Sequence, residues 1–411
     1  MKIFHFLKRA GRVALFALLT ATPLMLLGCF GLPVSGTIGG QALETRVDSE
    51  VARYYLGNYL ADKRTDPQLD ARIDRVYEQA DGRLPNREDL KKLSDNFSVD
   101  FAALYLADQI ARVPANAWFD SAFQQFYDYT SEFFSGGQMK VPGAADYDVL
   151  FVPTYLYKRS TFTGADMAVP RAALQKVGFA CSSVDTIDDG PIETNAEIVM
   201  AAISARATSA RRLILISASK SGAEVALALT RLGPARTRHV AAWINAVGAL
   251  QGTPLVDDKL MPDLEFLTGK VNPAGGQSMG TIPSRRRFAL FNVPHSVLVV
   301  NYFGIPTSGS ISLFGRKGYF PLRKYGPNDA ALLLGDMILP GGVTLIRLGT
   351  DHIHMNDNVE IATVALTMTV LEWLKNHDRT SPAPGIEVTG HPPEATGASD
   401  DPSGKRPAAS P

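Results

Sequence analysis

The stretch Arg212-Leu213-Ile214-Leu215-Ile216-Ser217-Ala218-Ser219-Lys220-Ser221-Gly222-Ala223-Glu224-Val225-Ala226-Leu227-Ala228-Leu229 holds two patterns with a sharp break between them. An apolar run rich in isoleucine and leucine has the length of a buried strand, and the Ala-rich run after it has helical spacing. The small residues at the join mark a tight turn. Ser219 stands at its apex, three residues past Ile216. A turn of this kind lifts a hydroxyl above the sheet and admits only small side chains two positions to either side, here Ser217 and Ser221.

This layout resembles the nucleophile elbow of the α/β-hydrolase superfamily, and Ser219-Lys220-Ser221-Gly222 is similar to the Ser-Lys-Gly elbow of its acyl-CoA thioesterase and acyltransferase branch. The usual pattern is Gly-x-Ser-x-Gly, and both glycines are serine here. A second register would make Ser221 the nucleophile; the distance from the strand end favours Ser219. An ordinary strand-to-helix turn with capping serines is the plain alternative.

A serine hydroxyl attacks a carbonyl only when an imidazole takes its proton and a carboxylate orients that imidazole. The resemblance implies the chain order Ser, acid, His, with the acid after the seventh strand and the His after the eighth. Gly349-Thr350-Asp351-His352-Ile353-His354 follows the last apolar strand, and Gly326-Pro327-Asn328-Asp329-Ala330-Ala331-Leu332 lies between the last two. His352 is therefore expected as the base, with His354 as its rival, and Asp329 as the acid, with Asp336 and Asp351 as rivals. The implied oxyanion hole joins the backbone N–H of Lys220 to that of Tyr155. Tyr155 comes from Pro153-Thr154-Tyr155, where the family usually carries His-Gly or Pro-Gly, and a positive φ at Thr154 would be strained.

The rest of the chain fits an α/β fold, a mainly parallel sheet flanked by helices. Continuous apolar runs at 149–152, 179–184, 213–216, 240–247, 296–302 and 343–348 alternate with helical patterns and indicate strands covered on both faces. Residues 47–135 are helical by spacing and are read as an N-terminal all-helical subdomain preceding a hydrolase domain at 146–379. Its aromatic cluster, Trp118 to Phe134, is packing or, in a sharper reading, a lid or acyl-chain wall. Residues 302–320 are an excursion after a strand or part of an acyl pocket. Residues 29–46 read as a Gly-rich tether and 380–411 as a disordered tail rich in Pro, Gly, Ser and Ala.

Lys+Arg and Asp+Glu both number 41, which excludes the basic surface of a nucleic-acid binder. Lys2, Lys8, Arg9 and Arg12 precede or flank an apolar run from Val13 to Leu27 that ends in Leu26-Leu27-Gly28-Cys29. This resembles the bacterial lipobox, which implies a signal peptide over residues 1–28, lipid on Cys29, and a place in the cell envelope, at the outer membrane facing the periplasm. Without residues 1–28, 37 basic residues face 41 acidic ones. Cys181 then has no disulfide partner and reads as a structural thiol. No Cys/His cluster has metal-ligand spacing, and no cofactor is expected. The sequence thus points to a lipid-anchored serine hydrolase of small-molecule or lipid acyl esters. Thioesterase or acyltransferase chemistry, prompted by Lys220, and a non-catalytic envelope binding protein on the same fold are the alternatives.

Overall fold

The computed structural model describes residues 31–377 apart from 81, 135–138, 160, 261–271 and 354–357. The expected signal segment, Cys29, His354 and the tail beyond residue 380 lie outside the described residues.

The described chain opens on an antiparallel hairpin, β1 (Leu32–Ile38) and β2 (Gln41–Val47), in place of the expected tether over 29–46. Gly39 (φ 58°) and Gly40 (φ 85°) form its tip, in the left-handed conformation that a tight hairpin turn demands. The Gly-Gly pair between two short alternating runs is a hairpin signal, and a reading weighted toward glycine content passes over it.

Five helices follow: α1 (Glu50–Gly57), α2 (Pro67–Glu78), α3 (Arg87–Asn96), α4 (Val99–Arg112) and α5 (Pro114–Phe134). Their starts are set locally. Ser49, Asp66, Asn86 and Ser98 cap the first four through their side chains, and proline opens α2 and α5.

The α/β part then runs β3 (Tyr147–Val152), α6 (Ala168–Lys176), β4 (Ala180–Ser183), α7 (Ile192–Ser204), β5 (Arg212–Ala218), α8 (Lys220–Arg236) and β6 (Val240–Ala246). It continues through the short helices α9 (Pro254–Asp257), α10 (Pro273–Gln277) and α11 (Thr281–Phe288) to β7 (Leu298–Ile305), α12 (Arg316–Leu322), β8 (Val343–Leu348) and α13 (Val359–Asn376). The six strands β3–β8 form one all-parallel sheet in the order β4-β3-β5-β6-β7-β8. The chain steps out from β3 to β4, then crosses back to β5 on the other side of β3. Such a reversal opens a crevice at the carboxyl ends of the strands, and β5 ends there.

The alternation within each strand divides the core. Ile214 and Ile216 of β5 point to the face covered by α5, α6 and α13; Leu213 and Leu215 point to the face covered by α7 and α8. The helical subdomain is present, but it has no core of its own. Residues of the hairpin, α1 and α4 share one buried cluster with Phe303 and Ile305 of β7, Ile346 of β8, and Leu332 and Leu334 between those strands. The α5 aromatics belong to the core as well: Phe119 and Phe123 are buried, and the Trp118 ring meets Trp373 of α13 at 5.0 Å. They are packing rather than a lid or an acyl wall.

Two polar junctions fix the same seam. Arg87 Nη1 donates to the buried Asp336 carboxylate at 3.0 Å. Asp100, fully buried, accepts from the backbone N–H of Asp48 and Ser308 and from the Ser308 and Tyr319 hydroxyls.

Phe303→Ala, a large-to-small change in the shared cluster, is expected to lower stability by about 3–5 kcal/mol. Because the cluster belongs to both parts, the helices and the sheet should still unfold in one transition. Urea denaturation followed by both far-ultraviolet circular dichroism and tryptophan fluorescence reads this; two separated transitions would show that the helices are an independent unit.

Candidate active site

Ser219 lies between the end of β5 and the first residue of α8, at φ 53° and ψ −122°. That backbone state costs a non-glycine residue on the order of 1–3 kcal/mol and persists only where neighbours enforce it. They do so from both sides. Ser219 N–H donates to the Ala246 carbonyl at 3.0 Å, and the Ser219 carbonyl accepts from Gly222 N–H at 3.0 Å and Ala249 N–H at 2.9 Å. A side chain at Gly222 would meet Asn245 Oδ1 at 2.5 Å, so this residue must stay small.

The two serines that replace the usual glycines are both fully buried, and each hydroxyl is used. Ser217 Oγ accepts from Trp243 Nε1 at 2.8 Å. Ser221 Oγ has one proton to donate, with the Val152 carbonyl oxygen at 2.6 Å and that of Ala218 at 2.9 Å within reach of it, and it accepts from the Ala218 N–H at 3.0 Å. A hydroxyl is small enough for these positions, and a buried one needs partners, which β3 and β6 supply. Ser221 is thus a clasp between β3 and the elbow, while Ser219 Oγ lies 3.2 Å from His352 Nε2.

His352 follows β8, and its other ring nitrogen, Nδ1, is 2.7 Å from Asp329 Oδ2. A second contact repeats the pairing on the backbone: His352 N–H donates to the Asp329 carbonyl at 2.7 Å. Asp329 is fully buried in a turn after β7, where Oδ1 accepts from the N–H groups of Ala331 (2.9 Å) and Leu332 (2.7 Å). With Oδ1 committed to the turn, Oδ2 is left for the imidazole. Burial pulls the His352 pKa down, but the Asp329 charge and hydrogen bond, with the nearby Asp351 charge, outweigh it and hold it above the usual histidine value.

The rival acids have other partners. Asp336 pairs with Arg87, and burial pushes its pKa up to about 7. Asp351 accepts from the N–H groups of Ser312 and Ile353 and so braces the turn that carries His352.

The backbone N–H of Lys220 belongs to the first turn of α8, where N–H groups have no partner within the helix and the dipole favours negative charge. Its side chain is buried and ion-paired with Glu224, whose Oε1 also accepts from Asn195 at 2.9 Å. Tyr155 lies just beyond β3, across the crevice mouth in the strand order. Its neighbours are pinned: Thr154 N–H donates to Ala165 O at 3.1 Å and Leu156 N–H to Asp188 O at 2.9 Å. The positive φ in this loop falls on Leu156 (60°), so Thr154 escapes the strain that a glycine-like conformation would impose. The Lys220–Glu224 pair was not foreseen from sequence, although Lys and Glu four residues apart on one helix are the signal for it. Cys181, on edge strand β4, is half-buried, and burial pushes its pKa up to about 11, so it is a neutral thiol. Among the described residues no group of His, Cys, Asp and Glu could hold a metal ion, and no helix is long and apolar enough to cross a membrane.

A parallel sheet in this strand order, with a strained serine elbow after β5, an acid turn after β7 and a histidine after β8, is the α/β-hydrolase fold. No family model matches the sequence, and no curated protein matches it. Among solved structures the chain is similar to a metagenomic carboxyl esterase, at 20% identity and a TM-score of 0.47 over 59% of this chain and 79% of that one. It is also similar to a lipase from Bacillus licheniformis in mature form (19%, TM-score 0.40, 56% of this chain and 91% of that one). A third likeness is to an esterase from Pyrobaculum calidifontis (10%, TM-score 0.32, 62% and 93%). The strand order and the elbow, not these likenesses, define the fold.

A histidine held above its usual value near 6.5 stays protonated where an ordinary one is already neutral. Its Hε1 and Hδ2 resonances should therefore titrate above that value. In Asp329→Asn the carboxylate charge is gone while burial remains, so the midpoint should fall. Nuclear magnetic resonance titration of both chains measures this, and an unchanged midpoint would mean that Asp329 does not control the ring.

Proposed function

We propose that the protein is a serine hydrolase of carboxylic esters, an esterase or lipase-like acyl hydrolase. The observation that carries this reading is the unbroken hydrogen-bonding series Ser219 Oγ, His352 Nε2, His352 Nδ1, Asp329 Oδ2 at 3.2 and 2.7 Å. In this mechanism His352 takes the hydroxyl proton as Ser219 Oγ attacks the acyl carbon, and Asp329 stabilises the imidazolium without accepting the proton. The oxyanion is held by the N–H groups of Lys220 and Tyr155, the former at a helix N-terminus. His352 then protonates the departing alcohol, leaving an acyl-Ser219, and activates the water that hydrolyses it. Since only neutral imidazole accepts a proton, activity falls as pH drops through the raised His352 value.

The thioesterase reading was prompted by Lys220, and the burial of that side chain against Glu224 keeps it from the substrate. The non-catalytic reading is opposed by the strained Ser219 backbone, for which a binding surface has no use. We further propose, from the lipobox resemblance, that lipid on Cys29 holds the enzyme at the cell envelope.

A fluorophosphonate probe should form an adduct on Ser219, mapped by mass spectrometry; an adduct on Ser221, or none on folded protein, refutes the assignment. Ser219→Ala and His352→Ala should each lower kcat for a reactive ester by about four orders of magnitude, with little further loss in the double variant. Ser221→Ala should stay within about tenfold, as a clasp rather than a reactant. Cys29→Ala should move the protein out of the detergent-extractable membrane fraction or block its processing, and a wild type found mainly in the soluble fraction contradicts the anchor.

A further inference from the structure

The outer edge of the sheet holds backbone groups that the hydrolytic reading leaves unused. β8 is the last strand in the order, and the described strands pair only its β7 side. Gly349 N–H, just past β8, donates to Ile305 O at 2.9 Å, so odd-numbered residues face β7 and the N–H and C=O groups of Thr344, Ile346 and Leu348 point outward. Side-chain amides take three of these groups. Asn116 Oδ1 accepts from Thr344 N–H at 2.8 Å, Gln41 Oε1 accepts from Leu348 N–H at 3.3 Å, and Gln41 Nε2 donates to Ile346 O at 2.9 Å. Between them the Thr344 carbonyl and the Ile346 N–H have no partner among the described residues, although both residues are buried. Buried main-chain groups ordinarily have one.

Thr344 and Ile346 lie at the floor of a cavity of about 400 Å³, walled by the hairpin tip, the end of α4 and the first half of α5. Its charged lining is acidic. Asp120 Oδ1 accepts from Gln41 Nε2 at 2.8 Å, Asp128 stands exposed to solvent, and no Lys or Arg lines the space. Arg347 is near, but its guanidinium lies over the Phe123 and Tyr127 rings at 5.6 and 5.0 Å. Burial holds the Asp120 carboxyl above its usual range, against the Gln41 hydrogen bond and the Arg347 charge, so a cation entering the cavity would favour its ionised form.

We propose that this cavity binds a short cationic peptide in extended form, one residue of which pairs with β8 between Asn116 and Gln41, its N–H donating to Thr344 O and its C=O accepting from Ile346 N–H. Adding an extended segment to a sheet edge is a general mode of peptide recognition, with the main chain supplying affinity and the flanking side chains specificity. In a parallel ladder one residue satisfies both free groups. The acidic walls select basic side chains to either side of it. Asn116 and Gln41 already occupy the adjoining bonds of β8, so a long strand, such as β8 of a second copy, finds the edge blocked on both flanks.

The test uses the full-length chain with the synthetic peptide acetyl-Lys-Val-Lys-amide, its N-methylvaline form and acetyl-Glu-Val-Glu-amide, read by calorimetry and by nuclear magnetic resonance of the Ile346 amide. The lysine peptide should move the Ile346 amide proton downfield and slow its exchange with solvent. The N-methylvaline form has no N–H for Thr344 O and should bind about tenfold more weakly, the effect of leaving one buried group unsatisfied. The glutamate peptide should show no measurable binding. Asp120→Asn should weaken the lysine peptide severalfold, and Ser121→Trp, at the exposed rim, should block it while leaving Asn116 and Gln41 in place. An Ile346 amide that does not respond to the lysine peptide overturns the proposal, as does equal affinity for the N-methylated form or for the glutamate peptide. A dimer of the free chain in which the Ile346 N–H is already protected would assign the edge to a second copy instead. None of these readouts uses ester hydrolysis, and Ser219→Ala serves equally well as the test chain, so the outcome is separate from that of the hydrolase reading.

Discussion

Ser219 at φ 53° and ψ −122° is a backbone conformation that only its surroundings can hold, and the neighbouring strands are arranged to hold it. The Ser221 hydroxyl reaches the Val152 carbonyl at the end of β3, tying the strand that carries the Tyr155 loop to the turn that carries Ser219. On the other side Ala246, at the end of β6, accepts the Ser219 N–H. The three adjacent strands therefore set the height and direction of one hydroxyl. Their parallel alignment does more than build a core, because it brings three carboxyl ends together where the polar groups of the site are needed.

Asp329 is positioned from further away. Its turn is flanked by Leu332 and Leu334, which are buried among the hairpin and the N-terminal helices, and by Asp336, which pairs with Arg87 at the start of α3. Asp100 of α4 grips Ser308 and Tyr319, on either side of the loop that braces Asp351. The helices before the sheet thus form one wall of the acid and histidine loops. In Asp100, burial and the adjacent Asp48 carboxylate push the pKa above the usual carboxylate range, against the hydrogen bonds from Ser308.

The six strands and most helices of the α/β part were legible because their apolar runs are continuous and separated by turn residues; β5 was expected over 213–216 and spans Arg212–Ala218. Ser219, Asp329 and His352 were legible as candidates from chain order and local pattern, each being set by a short loop at the end of a strand. What escaped the sequence is non-local. The hairpin was hidden by its glycines, although the Gly39-Gly40 pair was its signal. Nothing local shows that Phe303 and Phe101 share a cluster, because strand alternation says which face a residue takes but not which helix covers it. The reasons Ser217 and Ser221 can replace glycine, an indole N–H from β6 and a carbonyl from β3, likewise depend on contacts across the sheet.

The order of the three residues along the chain also sets a schedule. Ser219 emerges from the ribosome, or from a translocation pore, well before His352. The next described helix after His352, α13, packs on α5 from the first half of the chain. An incomplete chain therefore contains Ser219 without His352, and the hydrogen-bonded series Ser219–His352–Asp329 closes only when nearly the whole described sequence has been delivered and its late and early helices have met. On the hydrolase reading proposed above, a nascent chain would pass its surroundings as an inert one until folding is nearly complete.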